Sequence, residues 1–240
     1  NTEYFQQLSG GSRAIELGLI DAKKTKKVAI ILSLTAIVLG FILMLNVFYN
    51  NLISVITLAA VGLFIGYYYT AKPLRLVARR GLGELSIFLA FGPLLTIGTG
   101  FAIFNGDLLA NYEHFINCLI LGLPLGLLTT NILLINQFPD RAGDIKTGKN
   151  HLVVTFGKRK SRWIYLIIFI AFVSTAFYFS SSINNTFTLI PIIISTIFGF
   201  YVIKQIFINY NNRKLISANW STIYLHTIYS ITLLIILLIS

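Results

Sequence analysis

The stretch KKTKKVAIILSLTAIVLGFILML, Lys23–Leu45, decides the fold class. Four lysines crowd its start, and no charge follows from Val28 to Leu45. A helix needs about 20 mostly apolar residues to cross the hydrocarbon core, so this run is a membrane span with its lysines left in water. Six further runs have the same character: Leu52–Thr70, Leu85–Phe104, Phe115–Phe138, Trp163–Phe179, Phe187–Phe207 and Trp220–Ile239. They are continuously apolar and do not alternate, which points to helices and away from a barrel. The expected architecture is therefore an all-α, polytopic transmembrane helix bundle of seven spans.

Composition agrees. Only 11% of the 240 residues are charged and 56% are hydrophobic, whereas a soluble domain is about one quarter charged. No internal repeat, low-complexity tract or long linker divides the chain, so residues 1–240 read as a single transmembrane domain. The one cysteine, Cys118, cannot form an intrachain disulfide. With Asn1 first and Met44 its one methionine, the sequence reads as a fragment or a processed chain.

The formal net charge of +11 invites a nucleic-acid reading, but charge placement argues against one. All 19 Lys and Arg fall in four segments, Arg13–Lys27, Lys72–Arg80, Arg141–Arg162 and Lys204–Lys214. The alternate connections, Asn46–Asn51, Asn105–His114 and Ser180–Thr186, hold none. This is the positive-inside pattern, and it puts the four basic segments on the cytoplasmic side of a cell membrane. Contact with the lipid bilayer accounts for much of the charge, and the Lys23–Lys27 cluster reads equally well as topogenic or lipid-facing.

Six of the eight acidic residues share that side. The most informative run is NQFPDRAGDIKTGK, Asn136–Lys149. Asn136, Asp140 and Asp144 recur every four residues and so share one face of a helix. Pro139 argues that the span ends or kinks near Phe138. Two carboxylates on one face at a membrane boundary repel each other, and a divalent cation resolves that repulsion. Magnesium suits the donors, because it takes one or two carboxylates and completes its shell with phosphate oxygens and water. The histidines, His114, His151 and His226, have no zinc spacing. The competing reading is a solvated network in which Asp140 and Asp144 pair with Arg141, Lys146 or Lys149.

Three runs carry a resemblance to a known family. NQFPDRAGDIKTGKNHLVVTFG, Asn136–Gly157, resembles the second aspartate-rich motif of the UbiA superfamily of membrane prenyltransferases. YTAKPLRLVARRGLGELSIFLAFGPLLTIGTG, Tyr69–Gly100, is similar to the segment after the fourth helix in the 1,4-dihydroxy-2-naphthoate polyprenyltransferase branch. Its most telling parts are Arg80–Glu84 and Phe91–Leu94. SGGSR, Ser9–Arg13, resembles the loop entering the third helix. That fold has nine helices and two aspartate-rich motifs. The resemblance thus implies that two helices and the first motif are missing ahead of Asn1, which would leave half a metal site and an inactive chain.

The resemblance also implies a reaction. A polyprenyl diphosphate ionises with Mg2+ assistance, and its allylic carbon attacks an aromatic quinone precursor in menaquinone biosynthesis. Asp140, Asp144 and Asn136 would hold the ion. Lys149 and Arg13 are candidates for the diphosphate oxygens, arginine because its fork suits phosphate. Lys72, four residues after Tyr68, is a third. Arg75, Arg79 and Lys146 read as topogenic. Tyr68, Tyr69, Phe88 and Phe91 offer ring faces to a carbocation, against the plainer reading of packing aromatics. Arg80 and Glu84 would shape the acceptor pocket or form a buried i, i+4 pair. Gly81 and Gly83 would allow close backbone approach at a helix start. Gly62, Gly66, Gly92, Gly122 and Gly126 would frame a groove for the prenyl tail, with GxxxG spacing also a signal for dimerisation. Other acceptors (4-hydroxybenzoate, haem, chlorophyllide) remain open, as do a transporter and a non-catalytic scaffold. Against a transporter, the middle thirds of the spans carry no charge.

Overall fold

The computed structural model describes residues 14–15, 17–47, 51–104 and 108–239. Every regular element among them is helical: α1 Ala22–Val47, α2 Leu52–Thr70, α3 Leu82–Phe91, α4 Pro93–Ile103, α5 Tyr112–Lys146, α6 Leu152–Ser182, α7 Leu189–Asn209 and α8 Leu215–Ile239. Short 3-10 turns at Leu76–Ala78 and Thr186–Thr188 lead into α3 and α7. Taken with α3 and α4 as one broken span, seven helices are long and apolar enough to cross a membrane. They coincide with the seven expected runs.

The long α5 is the axis of the bundle, with α3, α4, α6 and α8 against it and α7 between α6 and α8. Towards the basic connecting segments the core is built from Leu134, Phe138, Val153, Tyr165, Val202 and Leu215. Towards the other end it is built from Leu128, Phe172, Ala176, Leu225 and Tyr229. The α1 helix leaves nearly all its surface uncovered, and its apolar side chains suit lipid contact.

Glycine lets the broken span reach α5. A Cβ at Gly92 would lie 2.6 Å from the Gly122 carbonyl oxygen, and one at Gly122 2.6 Å from Pro93 Cα. A Cβ at Gly126 would meet the Phe88 carbonyl oxygen at 2.5 Å. The Gly122–Gly126 spacing is thus used inside the chain, where two backbones touch. Gly62 and Gly66 face open space.

Pro139 does not end the fourth span. The α5 helix runs through it to Lys146. A proline has no N–H for the carbonyl four residues back, here Ile135. Asn219 of α8, fully buried, fills that place: its Nδ2 donates to Ile135 O at 3.4 Å and to Asn136 Oδ1 at 2.8 Å. A neighbouring helix thus supplies the missing donor, which is how membrane helices tolerate proline. The continuation keeps Asp140 and Asp144 helical.

The sharpest backbone break lies elsewhere. Gly157 has φ 77° and ψ 158°, and it separates the first turn of α6 from the long remainder. At the same end Arg162 donates from Nη1 to Phe207 O at 3.2 Å, with its guanidinium over the rings of Phe207 and Tyr210. It ties α6 to the last turn of α7, where a cation also complements the helix dipole.

Candidate active site

The α5–α6 connection, residues 147–151, organises the basic end of the bundle. Its Asn150 N–H donates to Ala78 O at 3.1 Å and so joins the connection between α2 and α3. Successive residues then face alternate sides. Lys149 and His151 turn to Asp144, whereas Gly148 and Asn150 line a cavity of about 420 Å³ with Lys72, Pro73, Arg75, Ala78 and Arg79.

Asp144 is buried and doubly engaged. Lys149 Nζ lies 2.7 Å from its Oδ1, and His151 Nε2 lies 2.9 Å from its Oδ2. His151 is 1% exposed and caps α6, its Nδ1 accepting from Val154 N–H at 3.3 Å. A ring that accepts at Nδ1 carries its proton on Nε2, so His151 donates to Asp144. Sequence reading assigned His151 no role. Its place at an N-cap, three residues before Val154, was the available signal.

Asp140 lies one turn before Asp144 on α5, half-buried. Asn136 lies one turn earlier, with its amide oxygen held by Asn219. The three expected donors therefore follow one another along one face. Among the described residues no group of three His, Cys, Asp or Glu converges into a metal site. Two carboxylates and an amide nevertheless fit magnesium chemically, as hard oxygen donors few enough to leave room for phosphate and water. Binding at Asp144 Oδ1 would exchange Lys149 off that oxygen. Asp144 thus pairs with Lys149, one of the partners named in the network reading, and with His151, but in a buried and not a solvated setting.

Glu84 departs from expectation. It does not pair with Arg80, which is exposed. Gly81, at φ 74°, is the cap of α3, and the helix starts only at Leu82. Arg80 therefore sits outside the helix and lacks the i, i+4 geometry. Glu84 is 3% exposed and turns inward: its Oε1 accepts from Gln137 Nε2 and from Leu152 N–H, both at 3.0 Å. One carboxylate thus joins α3, α5 and the first turn of α6, where free helical N–H groups favour an anion. Gly83, not Gly81, makes the close approach, with a Cβ there 3.0 Å from Val77 Cα.

The remaining candidates are dispersed. Lys72 reaches the cationic cavity, where Arg79 donates to Leu74 O at 2.9 Å and Pro73 O at 3.1 Å, and Arg75 has φ 43°. Tyr68 and Tyr69 are half-buried in the last turn of α2, with Tyr68 tilted against Phe64 and edge-on to Tyr67. Phe88 is half-buried and Phe91 exposed. Arg13 lies outside the described residues, as does the rest of Ser9–Arg13.

The sequence profile of the UbiA prenyltransferase family matches residues 13–228. A 1,4-dihydroxy-2-naphthoate octaprenyltransferase of Haemophilus influenzae is 29% identical over 164 residues, covering 66% of this chain and 50% of that protein. UbiA prenyltransferase domain-containing protein 1 of Dictyostelium discoideum is 26% identical over 141 residues, covering 59% of this chain and 40% of that protein. The chain thus spans about half the length, or less, of these curated relatives. No solved structure matches it. With a family profile that runs from ahead of the first span into the seventh and takes in both connections that build the site, the chain belongs to the UbiA prenyltransferase family.

Proposed function

We propose that the protein transfers a polyprenyl group from polyprenyl diphosphate to an aromatic acceptor, with the diphosphate at the basic end and the tail in the bundle. The observation that carries this reading is the two-sided connection 147–151. One side meets a carboxylate face on α5, and the other meets a cavity lined by three cations. A diphosphate leaving group calls for both features, charge neutralisation by cationic side chains and anchoring carboxylates for a metal. By positive-inside charge placement this end faces the cytoplasm.

Ionisation breaks the allylic C–O bond, and the bonding pair leaves with the diphosphate. Lys72, Arg75 and Arg79 would stabilise the charge on the departing oxygens. Tyr68 and Tyr69 would turn ring faces toward the allylic cation. A ring carbon of the acceptor then forms the new C–C bond, and the ring regains aromaticity by losing the group it carried there. A magnesium ion, held by Asp140 and Asp144 with Asn136, would add Lewis-acid neutralisation of the diphosphate when bound.

The proposed acceptor is 1,4-dihydroxy-2-naphthoate, on the route to menaquinone. It is supported by the Haemophilus relative and by the Arg80–Glu84 run. The test offers that naphthoate and 4-hydroxybenzoate in parallel to the complete gene product in liposomes with labelled polyprenyl diphosphate. Transfer to the naphthoate alone is expected. Transfer to hydroxybenzoate alone would move the protein to another acceptor within the family.

A further inference from the structure

An ionisable side chain deep in a span marks a functional site by default, because burying it there is costly. His226 is such a residue. It lies eleven positions into α8, so the helical rise puts it about 16 Å from the Leu215 end, near the middle of the bilayer. Across from it, Thr129 lies eleven residues before Asp140 on α5, again about 16 Å along the helix from the diphosphate end. His226 belongs to a polar cluster separate from the site above.

One placement of the protons serves both contacts of Thr129. Thr129 Oγ1 donates its single proton to Leu125 O at 2.9 Å. With that proton on Leu125 O, the 3.2 Å contact between Thr129 Oγ1 and His226 Nε2 is donated by the ring, the tautomer on which the inference below is built. With the proton on Nε2, Nδ1 of the neutral ring is an acceptor, and it has no hydrogen-bond partner among the described residues. One turn further along α8, the hydroxyl of Ser230 is buried and also has no partner among them. A serine in a helix ordinarily donates to the carbonyl one turn back, so an unspent donor here is informative.

Both side chains line a cavity of about 350 Å³ whose other walls include Phe91, Leu95, Leu121 and Leu125. Leu95 and Leu121 also border a second, larger cavity of about 590 Å³, so the two apolar spaces adjoin. We propose that this cavity binds an apolar molecule bearing one alcoholic or phenolic hydroxyl. A hydroxyl donates to Nδ1 and accepts from Ser230 in a single contact, satisfying both unspent groups. A carbonyl satisfies only the serine, and a charged headgroup has no counter-ion in these walls. The site would hold a lipid alcohol or phenol in mid-membrane, at a different level from the diphosphate end, and does not depend on the reaction proposed above.

The test uses the complete protein in detergent with 15N-labelled histidine, titrated with 1-naphthol and separately with 1-methylnaphthalene. His226→Asn identifies the resonance. The expected result is a saturable shift of the His226 Nδ1 signal with 1-naphthol and none with 1-methylnaphthalene. Ser230→Ala should weaken the naphthol response at least fivefold, and it removes only one oxygen from the cavity wall. Equal responses to the two probes, no response to either, or an unchanged response in Ser230→Ala would overturn the proposal. Activity plays no part in the readout, so the outcome is independent of prenyl transfer.

Discussion

At the scale of single residues, Glu84 and His151 do more structural work than their spacing suggests. Alanine at Glu84 would strip an acceptor from Gln137 Nε2 and Leu152 N–H, both at 3.0 Å, the first buried and the second half-buried. Leaving such donors unpaired costs about 1–3 kcal/mol. Glu84→Ala is therefore expected to melt several degrees lower in detergent than Glu84→Gln, whose amide oxygen keeps the acceptor. Equal melting of the two variants would sink this account of Glu84. Neither partner was legible beforehand. Gln137 and Leu152 N–H are 53 and 68 residues from Glu84, and a sequence shows near neighbours such as Arg80 first. His151 was missed for a related reason: its N-cap place was a signal for the contact with Val154 N–H, but nothing in the spacing pointed to the carboxylate on its other nitrogen.

At the scale of helices, the α5 axis depends on two close fits. Asn219 supplies the donor that Pro139 lacks, at 3.4 Å from Ile135 O. Replacing Asn219 by leucine should cost roughly 0.6–1.7 kcal/mol, the range for polar contacts between membrane helices. If the proline is what the asparagine serves, Pro139→Ala should recover part of that loss in the double variant; additive losses would refute the coupling. The second fit is glycine on backbone. Gly126→Ala must push the Phe88 carbonyl from 2.5 Å, whereas Gly62→Ala meets nothing within 4 Å. Overpacking costs about 1–3 kcal/mol, so the first variant should unfold at lower denaturant and the second should be neutral. Sequence reading recognised the small residues but left open whether they served dimerisation or internal packing. Pro139 also looked like a terminus, since its rescuer lies three spans later in the chain.

At the scale of the whole molecule, the seven spans were legible because bilayer thickness imposes a length that composition alone can meet. The face shared by Asn136, Asp140 and Asp144 was legible from helical periodicity, once α5 is known to continue. The partition of the basic residues was not. Lys149 belongs to a carboxylate, Arg162 to two rings and a carbonyl, and Lys72, Arg75 and Arg79 to one cavity. A positive-inside count treats them all alike. The cavity group makes a prediction. Arg75→Gln and Arg79→Gln should each weaken polyprenyl diphosphate binding by tenfold or more, whereas Lys26→Gln, on exposed α1, should leave it unchanged. Comparable losses in all three would reduce the cavity to general basic charge.

The most direct test of prenyl transfer at this end of the bundle is turnover of labelled polyprenyl diphosphate by the complete gene product, with magnesium, with magnesium chelated, and with Asp140→Asn. The account predicts transfer in the first case only, while the Asn variant keeps its melting temperature. Undiminished transfer by the Asn variant, or by the native protein without a divalent ion, would contradict it.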